Sequence, residues 1–424
     1  MIKKYISSTF CSLGWNHQFL GPNGNIKPCC RFISQTVPKT NHIRNNSTLN
    51  DVFNQPFQQE LRQHMIKGER HPGCRKCWEE EDAGKKLSIR QNYNRDIDLL
   101  EDLHYDLDIN NPKITWLEFS FNNRCNIRCR MCGPYFSTNW YRDWAAVKRY
   151  VGGVENINGK NTDEEIENYI KENPEPRTID LDKLDEVLPN IRHIKMTGGE
   201  PFIMPEYKEI LRKLVECGQA KDVYLNYSTN LTVKPKKDLI ELWEHFKHIE
   251  FCASLDGVGP IIEYVRYPSK WDTVIEVTKE LMQLSKHMNI KVGIRPTITI
   301  YNILDVPNIT YWWAEMMDQH YKEPFSNKAW INHTQASAPE HLTIQVLQPR
   351  YKDIVMEKLW DKGPTEKQKQ NWNSLCNFMM AKDRTDLLTY FTDYTNRLDK
   401  ARNESFEKTI PELGGLLLFG GTLK

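Results

Sequence analysis

The sequence predicts an α/β chain: a partial (β/α)6 TIM-like barrel, with a small N-terminal cysteine-rich α+β module before it and a helical C-terminal region after it. Three observations predict this. Strand-like runs alternate with helical patterns over residues 114–337, at the spacing of parallel strands joined by crossover helices. Residues 1–95 crowd five cysteines around turn residues and one amphipathic stretch. Residues 338–424 read as mainly helical, with helical hydrophobic spacing in three stretches.

In the N-terminal part, Gly24-Asn25 reads as a hairpin turn that sets Cys11 and the Cys29-Cys30 pair on neighbouring strands. Thr48 to Lys67 has helical period, with Pro56 kinking or splitting it and Gly68 and His71-Pro72 ending it. Cys74-Arg75-Lys76-Cys77 follows. A CxxC pair plus two distant cysteines makes a four-ligand set, for which structural zinc is the alternative occupant to iron and sulfide. Residues 96–113, acidic and closing on Asn-Pro-Lys, read as a linker.

The first barrel strand, Ile114 to Phe121, leads into Cys125-x3-Cys129-x2-Cys132. Three thiolates this close in one loop can hold three irons of a four-iron–four-sulfur cube and leave the fourth iron open for chemistry. Zinc would need a fourth ligand, and a disulfide pair would suit a secreted chain. Further strand-like runs lie at 193–197, 223–228, 248–254 and 291–298, with a sixth near Ala329-Trp330-Ile331-Asn332. Helical patterns lie between them at 207–217, 237–246 and 271–288, and residues 151–178 read as a polar surface insertion. In such a fold, active groups belong at the C-terminal ends of the strands.

Three polar strings occupy those ends. Thr197-Gly198-Gly199-Glu200-Pro201 joins two glycines, which let backbone approach a ligand, to a carboxylate that suits an ammonium. Ser228-Thr229-Asn230 ends the third strand, and Ser254-Leu255-Asp256-Gly257 ends the fourth, where Asp256-Gly257 also makes a good turn. Arg266 follows, with a guanidinium able to fork onto a carboxylate, and Arg295 on the fifth strand offers another. Cys217, Cys252 and Cys376 read as buried thiols, and the C-terminal helices at 351–359, 366–380 and 385–400 read as packing elements.

Bulk properties exclude several classes. With 57 basic and 56 acidic residues the net charge is +1, so no overall field favours nucleic acid. No apolar run is long enough to span a bilayer, and the polar start does not read as a secretory signal. Eleven cysteines, an odd number concentrated in motifs, favour metal ligation over disulfides and a cytoplasmic setting.

Cys125-x3-Cys129-x2-Cys132 after a first strand resembles the signature of the radical S-adenosylmethionine (SAM) superfamily. The resemblance implies that the SAM methionine group chelates the open iron, and that one electron cleaves SAM to a 5′-deoxyadenosyl radical that abstracts hydrogen from a substrate. It implies that Met131, standing where the family usually has an aromatic residue, contacts adenine through its backbone. It carries the amino-group contact onto Gly198, Gly199 and Glu200, ribose or carboxylate contacts onto Ser228 and Asn230, the ribose onto Ser254 in an SxDG string, and the carboxylate onto Arg266. Cys11, Gly24, Cys29 and the late Cys74/Cys77 pair, followed by Trp78-Glu79-Glu80-Glu81, resemble a twitch or SPASM-type auxiliary-cluster module. This implies a second 4Fe-4S cluster on Cys11, Cys29, Cys74 and Cys77, with Cys30 spare and the module placed before the barrel instead of after it. The implied partners are an electron donor such as flavodoxin or ferredoxin and a peptide or protein substrate. A small-molecule substrate (sugar, nucleoside or lipid) and a non-catalytic zinc- or iron–sulfur-binding interaction protein are the alternatives.

Overall fold

The computed structural model describes residues 7–22, 24–82, 88–96, 112–134, 136–147, 180–321, 331–336, 339–361 and 365–418. Its strands are β1 (His17–Leu20), β2 (Ile26–Lys27), β3 (Trp116–Phe119), β4 (His193–Met196), β5 (Tyr224–Thr229), β6 (His248–Ala253), β7 (Ile290–Ile294), β8 (Thr297–Ile298) and β9 (Thr334–Gln335). The first seven form one sheet in the order β2-β1-β3-β4-β5-β6-β7, and β8 pairs with β9. The α-helices among the described residues are α1 (Leu13–Asn16), α2 (Leu49–Phe53), α3 (Pro56–Lys67), α4 (Arg75–Asp82), α5 (Ile89–Asp96), α6 (Tyr141–Val147), α7 (Pro205–Glu216), α8 (Lys237–Trp243), α9 (Pro260–Val265), α10 (Trp271–Leu284), α11 (Val306–Tyr321), α12 (Pro349–Trp360), α13 (Glu366–Met380), α14 (Leu388–Arg402) and α15 (Phe406–Thr409). Parallel strands alternating with helices, in an open sheet followed by a helical C-terminal region, make this an α/β fold of the partial-barrel kind.

The chain forms two compact units. The first comprises Met1–Asn122, Arg177–Tyr227 and Lys236–Ile249. In it β1, β3, β4 and β5 are parallel, with His17 opposite Trp116, Trp116 opposite His193 and His193 opposite Tyr224. Sequence pattern did not reveal that β1 takes a parallel place beside the first barrel strand; four residues between turns give no period to read. β2 returns antiparallel to β1 through a turn at Gly24, whose φ of +87° would be strained with a side chain and whose Cβ would lie 2.8 Å from His42. The predicted helix over 48–67 is split as expected: α2 starts on a Thr48–Asp51 capping box, and Pro56 opens α3.

The sheet of this unit has two unlike faces. Leu117, Phe119, Ile194, Met196, Leu225 and Tyr227 are buried on one, where Tyr207 of α7 donates to the Phe119 carbonyl and Trp243 of α8 donates to the Tyr227 hydroxyl. The other face is polar. A row of rings, His17, Trp116, His193, Tyr224 and His248, crosses it with neighbouring centroids 5.0–5.8 Å apart. One step along the strands, Glu118 lies 2.7 Å from Lys195 Nζ and 3.6 Å from His17 Nε2. Burial alone would raise the Glu118 pKa, but the Lys195 ammonium and His17 hold it well below the usual carboxylate range.

The second unit comprises Asn123–Pro176, Ser228–Pro235 and Glu250–Lys424. Its core joins Tyr301, Leu342, Phe391, Leu398, Phe406 and Leu413 among others, so the C-terminal helices pack around an apolar centre as their spacing predicts. The fifth strand is shorter than the run at 291–298 suggests. β7 ends at Ile294 because Pro296 has no N–H for the ladder, and the chain resumes as β8. Of the sixth strand, Ile331 bridges Ile294 in parallel and Thr334–Gln335 pairs with β8, while Ala329 and Trp330 lie outside the described residues. The insertion at 151–178 also lies outside them, as does most of the linker at 96–113. Cys252 is buried and Cys376 half-buried, but Cys217 is exposed, since the helix pattern that suggested burial ends one residue before it.

Candidate functional site

In the second unit the stretch from Cys125 to Cys132 is an irregular loop held by its own backbone. Arg128 N–H donates to the Tyr267 carbonyl at 2.7 Å, Arg130 N–H to Val265 at 2.8 Å, and Cys132 N–H to Cys129 at 3.0 Å. Five loop carbonyls accept from side chains. Asn139 donates to Cys125 at 2.5 Å, Ser137 to Ile127 at 2.6 Å, Arg402 to Arg128 at 2.8 Å, Trp140 to Cys129 at 3.0 Å and Tyr394 to Arg130 at 2.5 Å. Such a loop satisfies its polar backbone without a ladder.

The thiols meet donors of their own. Asn230 Nδ2 lies 3.7 Å from Cys125 Sγ, and Arg266 Nη1 lies 3.6 Å from Cys129 Sγ. The structure thus brings Cys125, Cys129, Cys132, Asn230 and Arg266 into one site. A hydrogen bond from Cys132, then the Arg266 guanidinium, pull the Cys129 thiol below its ordinary pKa despite burial. That same hydrogen bond, followed by burial, pushes Cys132 up.

Arg266 is itself anchored. Its Nε and Nη2 reach Asp256 Oδ2 at 2.7 and 2.6 Å, and Asp256 Oδ1 accepts from Thr297 N–H at 2.7 Å. In the sequence Asp256-Gly257 reads as a turn, and nothing in the pattern marks this carboxylate as the partner of Arg266. Asn230 also donates to Asn126 at 3.0 Å, and the next residue, Leu231, has a φ of +60° that few buried apolar residues adopt. Ser254 is half-buried and pairs through its N–H with the Thr229 carbonyl at 2.8 Å; Ser228 and Met131 are half-buried.

Gly198, Gly199 and Glu200 lie in the first unit, after β4. Gly198 has a φ of +72°, and a Cβ there would fall 1.7 Å from Ser120 Oγ. Ser120 is 3% exposed and its hydroxyl has no hydrogen-bond partner among the described residues. A bare buried oxygen beside a two-glycine turn fits a bound ammonium. Glu200 is fully buried, and its Oε1 accepts from Phe202 N–H at 3.2 Å.

The N-terminal cysteines also belong to the first unit. Cys11 precedes α1 and Cys29 follows β2, so neither lies within a strand as the hairpin reading supposed. Cys11, Cys29 and Cys74 pack with Phe10, Trp15, Phe32 and Trp116. Burial raises the Cys11 pKa to about 12, and burial together with Cys30, Cys11, Cys74 and Cys77 raises that of Cys29. Cys30 has Glu118 and Lys195 beside it. Burial and the Glu118 carboxylate push it up to about 11. Four desolvated thiols beside one another suit ligation by a metal centre that deprotonates them. Among the described residues no three His, Cys, Asp or Glu side chains converge as a single metal ion would require. A four-iron cube, being larger, accepts its thiolates further apart.

Residues 119–319 match the Radical SAM superfamily, and residues 11–78 match the SPASM iron-sulfur cluster-binding domain. Among curated proteins, GTP 3',8-cyclase of Cyanothece sp. (strain PCC 7425 / ATCC 29141) is 21% identical over 227 residues, covering 52% of this chain. The match spans 61% of that relative's own length. Among solved structures, Streptococcus suis SuiB bound to precursor peptide SuiA aligns at 14% identity over 72% of this chain and 64% of that one, with a TM-score of 0.32. Native anSMEcpe with bound AdoMet aligns at 14% identity over 58% of this chain and 60% of that one, with a TM-score of 0.37. The cofactors that go with the two matched domains are a 4Fe-4S cluster, SAM and an auxiliary iron–sulfur cluster. No helix among the described residues is long and apolar enough to cross a membrane.

Proposed function

We propose, for a chain that carries a Radical SAM domain over residues 119–319 and an iron–sulfur SPASM domain over residues 11–78, that it is an enzyme which reductively cleaves SAM and abstracts hydrogen from a peptide or protein substrate. The observation that carries the reading is the loop of Cys125, Cys129 and Cys132 with hydrogen-bond donors aimed at two of its sulfurs. When bound, the cluster and SAM supply one-electron chemistry and a 5′-deoxyadenosyl radical.

The protein's own residues do the rest. Cys125, Cys129 and Cys132 hold the cluster, and Asn230 and Arg266 donate to its sulfur ligands, which favours the thiolate forms. Gly198, Gly199 and Glu200, with Ser120 beside them, receive the methionine ammonium. Ser228 and Ser254 take the ribose, and the Met131 backbone takes the adenine. Arg266 is committed to Asp256 and Cys129, so its second proposed role, on the SAM carboxylate, uses donor capacity left over from those contacts. Cys11, Cys29, Cys74 and Cys77 hold the auxiliary cluster; the position of Cys30 beside Glu118 supports Cys29 as the ligand. A flavodoxin or ferredoxin supplies the electron, and the setting is cytoplasmic.

The test is anaerobic purification, iron and sulfide analysis, and detection of 5′-deoxyadenosine after dithionite reduction with SAM. The expected result is about eight irons per chain, as two 4Fe-4S clusters require, and a product lost in the Cys125→Ala/Cys129→Ala/Cys132→Ala variant. Iron-free protein, or product persisting in that variant, overturns the reading. Adding a candidate short peptide, or sugars, nucleosides and lipids, and watching which raises 5′-deoxyadenosine formation decides the substrate class.

A further inference from the structure

Sequence pattern assigned the C-terminal helices no chemistry, yet α14 reaches the cysteine loop at several points within the second unit. Tyr394 donates to the Arg130 carbonyl, and Arg402 donates to the Arg128 carbonyl at 2.8 Å while pairing with Asp143. Asp399 pairs with Arg130, whose guanidinium also lies 2.8 Å from Glu404. Arg130 stands between Cys129 and Cys132 in the chain and has no solvent exposure. Its guanidinium lies 3.5 Å from the centre of the Tyr264 ring and 5.4 Å from that of Tyr301, while Tyr264 donates to the same Asp399 oxygen at 2.8 Å.

A buried ion pair adds little net stability over apolar residues of the same volume. Stability alone therefore does not account for a fully buried guanidinium carried by a residue that stands between two of the loop's cysteines in the chain. Two other properties do follow from it. Donors from α14 on the Arg128 and Arg130 carbonyls fix the path of the loop, and hence where its side chains point. The balance of Arg130 against Asp399 and Glu404 sets the local charge, on which the potential of an iron–sulfur centre depends.

We propose that α14 is the positioning element of the cysteine loop: Tyr394 and Arg402 fix its backbone, and Asp399 sets the charge around the cluster it holds. Resting on the function proposed above, this assigns Tyr394, Asp399 and Arg402 as positioning residues acting through Arg130 and Arg128, not as groups that touch SAM or substrate.

The experiment uses the full chain, reconstituted anaerobically, and reads the SAM-sensitive part of the electron paramagnetic resonance spectrum and its midpoint potential. Asp399→Asn removes a negative charge and is expected to shift the potential to less negative values, while Asp399→Glu restores it. Tyr394→Phe keeps every charge and is expected to leave the potential in place but alter the g-values and the change that SAM induces in them. If both Asp399→Asn and Tyr394→Phe hold wild-type iron with unchanged potential and spectrum, and differ only in melting temperature, the proposal is wrong. Should Asp399→Asn fail to fold, Tyr394→Phe alone decides by the same spectrum. Wild-type protein that shows no SAM-sensitive signal at all would instead refute the radical SAM reading.

Discussion

In the N-terminal set, Cys11, Cys29, Cys74 and Cys77 are surrounded by one another and by apolar rings, and burial raises every one of their pKa values. In the loop at 125–132 the cysteines are set in a frame of donors, and Cys129 is shifted the other way. Arg90, which lies near the first set, is already committed to Glu81 at 2.6 Å and to the Phe10 carbonyl at 2.7 Å. On the proposed function, the contrast separates two ways of building a metal site. The first leaves thiols that gain a favourable charged state chiefly from the metal, so ligation and folding are coupled. The second is shaped by hydrogen bonds that persist whether or not a metal is present.

The largest difference is expected from emptying each set of its sulfur. Cys11→Ala/Cys29→Ala/Cys74→Ala/Cys77→Ala should lower the melting temperature by on the order of 10 °C or more, or abolish soluble expression. The triple alanine variant of the loop should stay folded, with a melting temperature within a few degrees of that of metal-free wild type. Equal losses in both would erase the distinction. Next comes the removal of one cation at each set. Arg266→Ala leaves Asp256 buried with no cation beside it, an arrangement that costs about 3–5 kcal/mol, whereas Arg90→Ala leaves Glu81 partly solvated and should cost less; chemical denaturation of each variant measures the gap. Within the N-terminal set, Cys29→Ala should remove the auxiliary cluster's share of the iron while Cys30→Ala keeps it, as read by metal analysis.

The smallest effect is acid sensitivity. Burial lowers His193 in the first unit and His341 in the second to about 4. The unfolded chain, with histidine near 6.5, takes up the proton first as pH falls, so stability is lost from about pH 6.5 down towards 4. His341→Phe should flatten that slope by at most about 3 kcal/mol, and His193→Phe should do so separately. Denaturation midpoints measured from pH 7 to 4.5 check the sign: a midpoint that rises on acidification would contradict it.

Much of the candidate site was legible because its residues follow one another. Cys125, Cys129 and Cys132 share a loop, and Gly198-Gly199-Glu200 and Ser254 to Gly257 sit at strand ends that hydrophobic alternation located. What sequence pattern hid comes from distant partners. Asp256 looked like half of a turn until Arg266 was placed beside it, and α14 looked like a packing helix because its donors go to backbone carbonyls, which every residue has. The parallel place of β1 was hidden too, since pairing between strands that lie far apart in the chain leaves no mark in either.

That pairing has a consequence for how the protein is made. His17 to Leu20 leave the ribosome about a hundred residues before Trp116 to Phe119, their neighbours in the sheet. Throughout that interval the nascent chain carries an unmated edge, a surface that invites aggregation and chaperone capture alike.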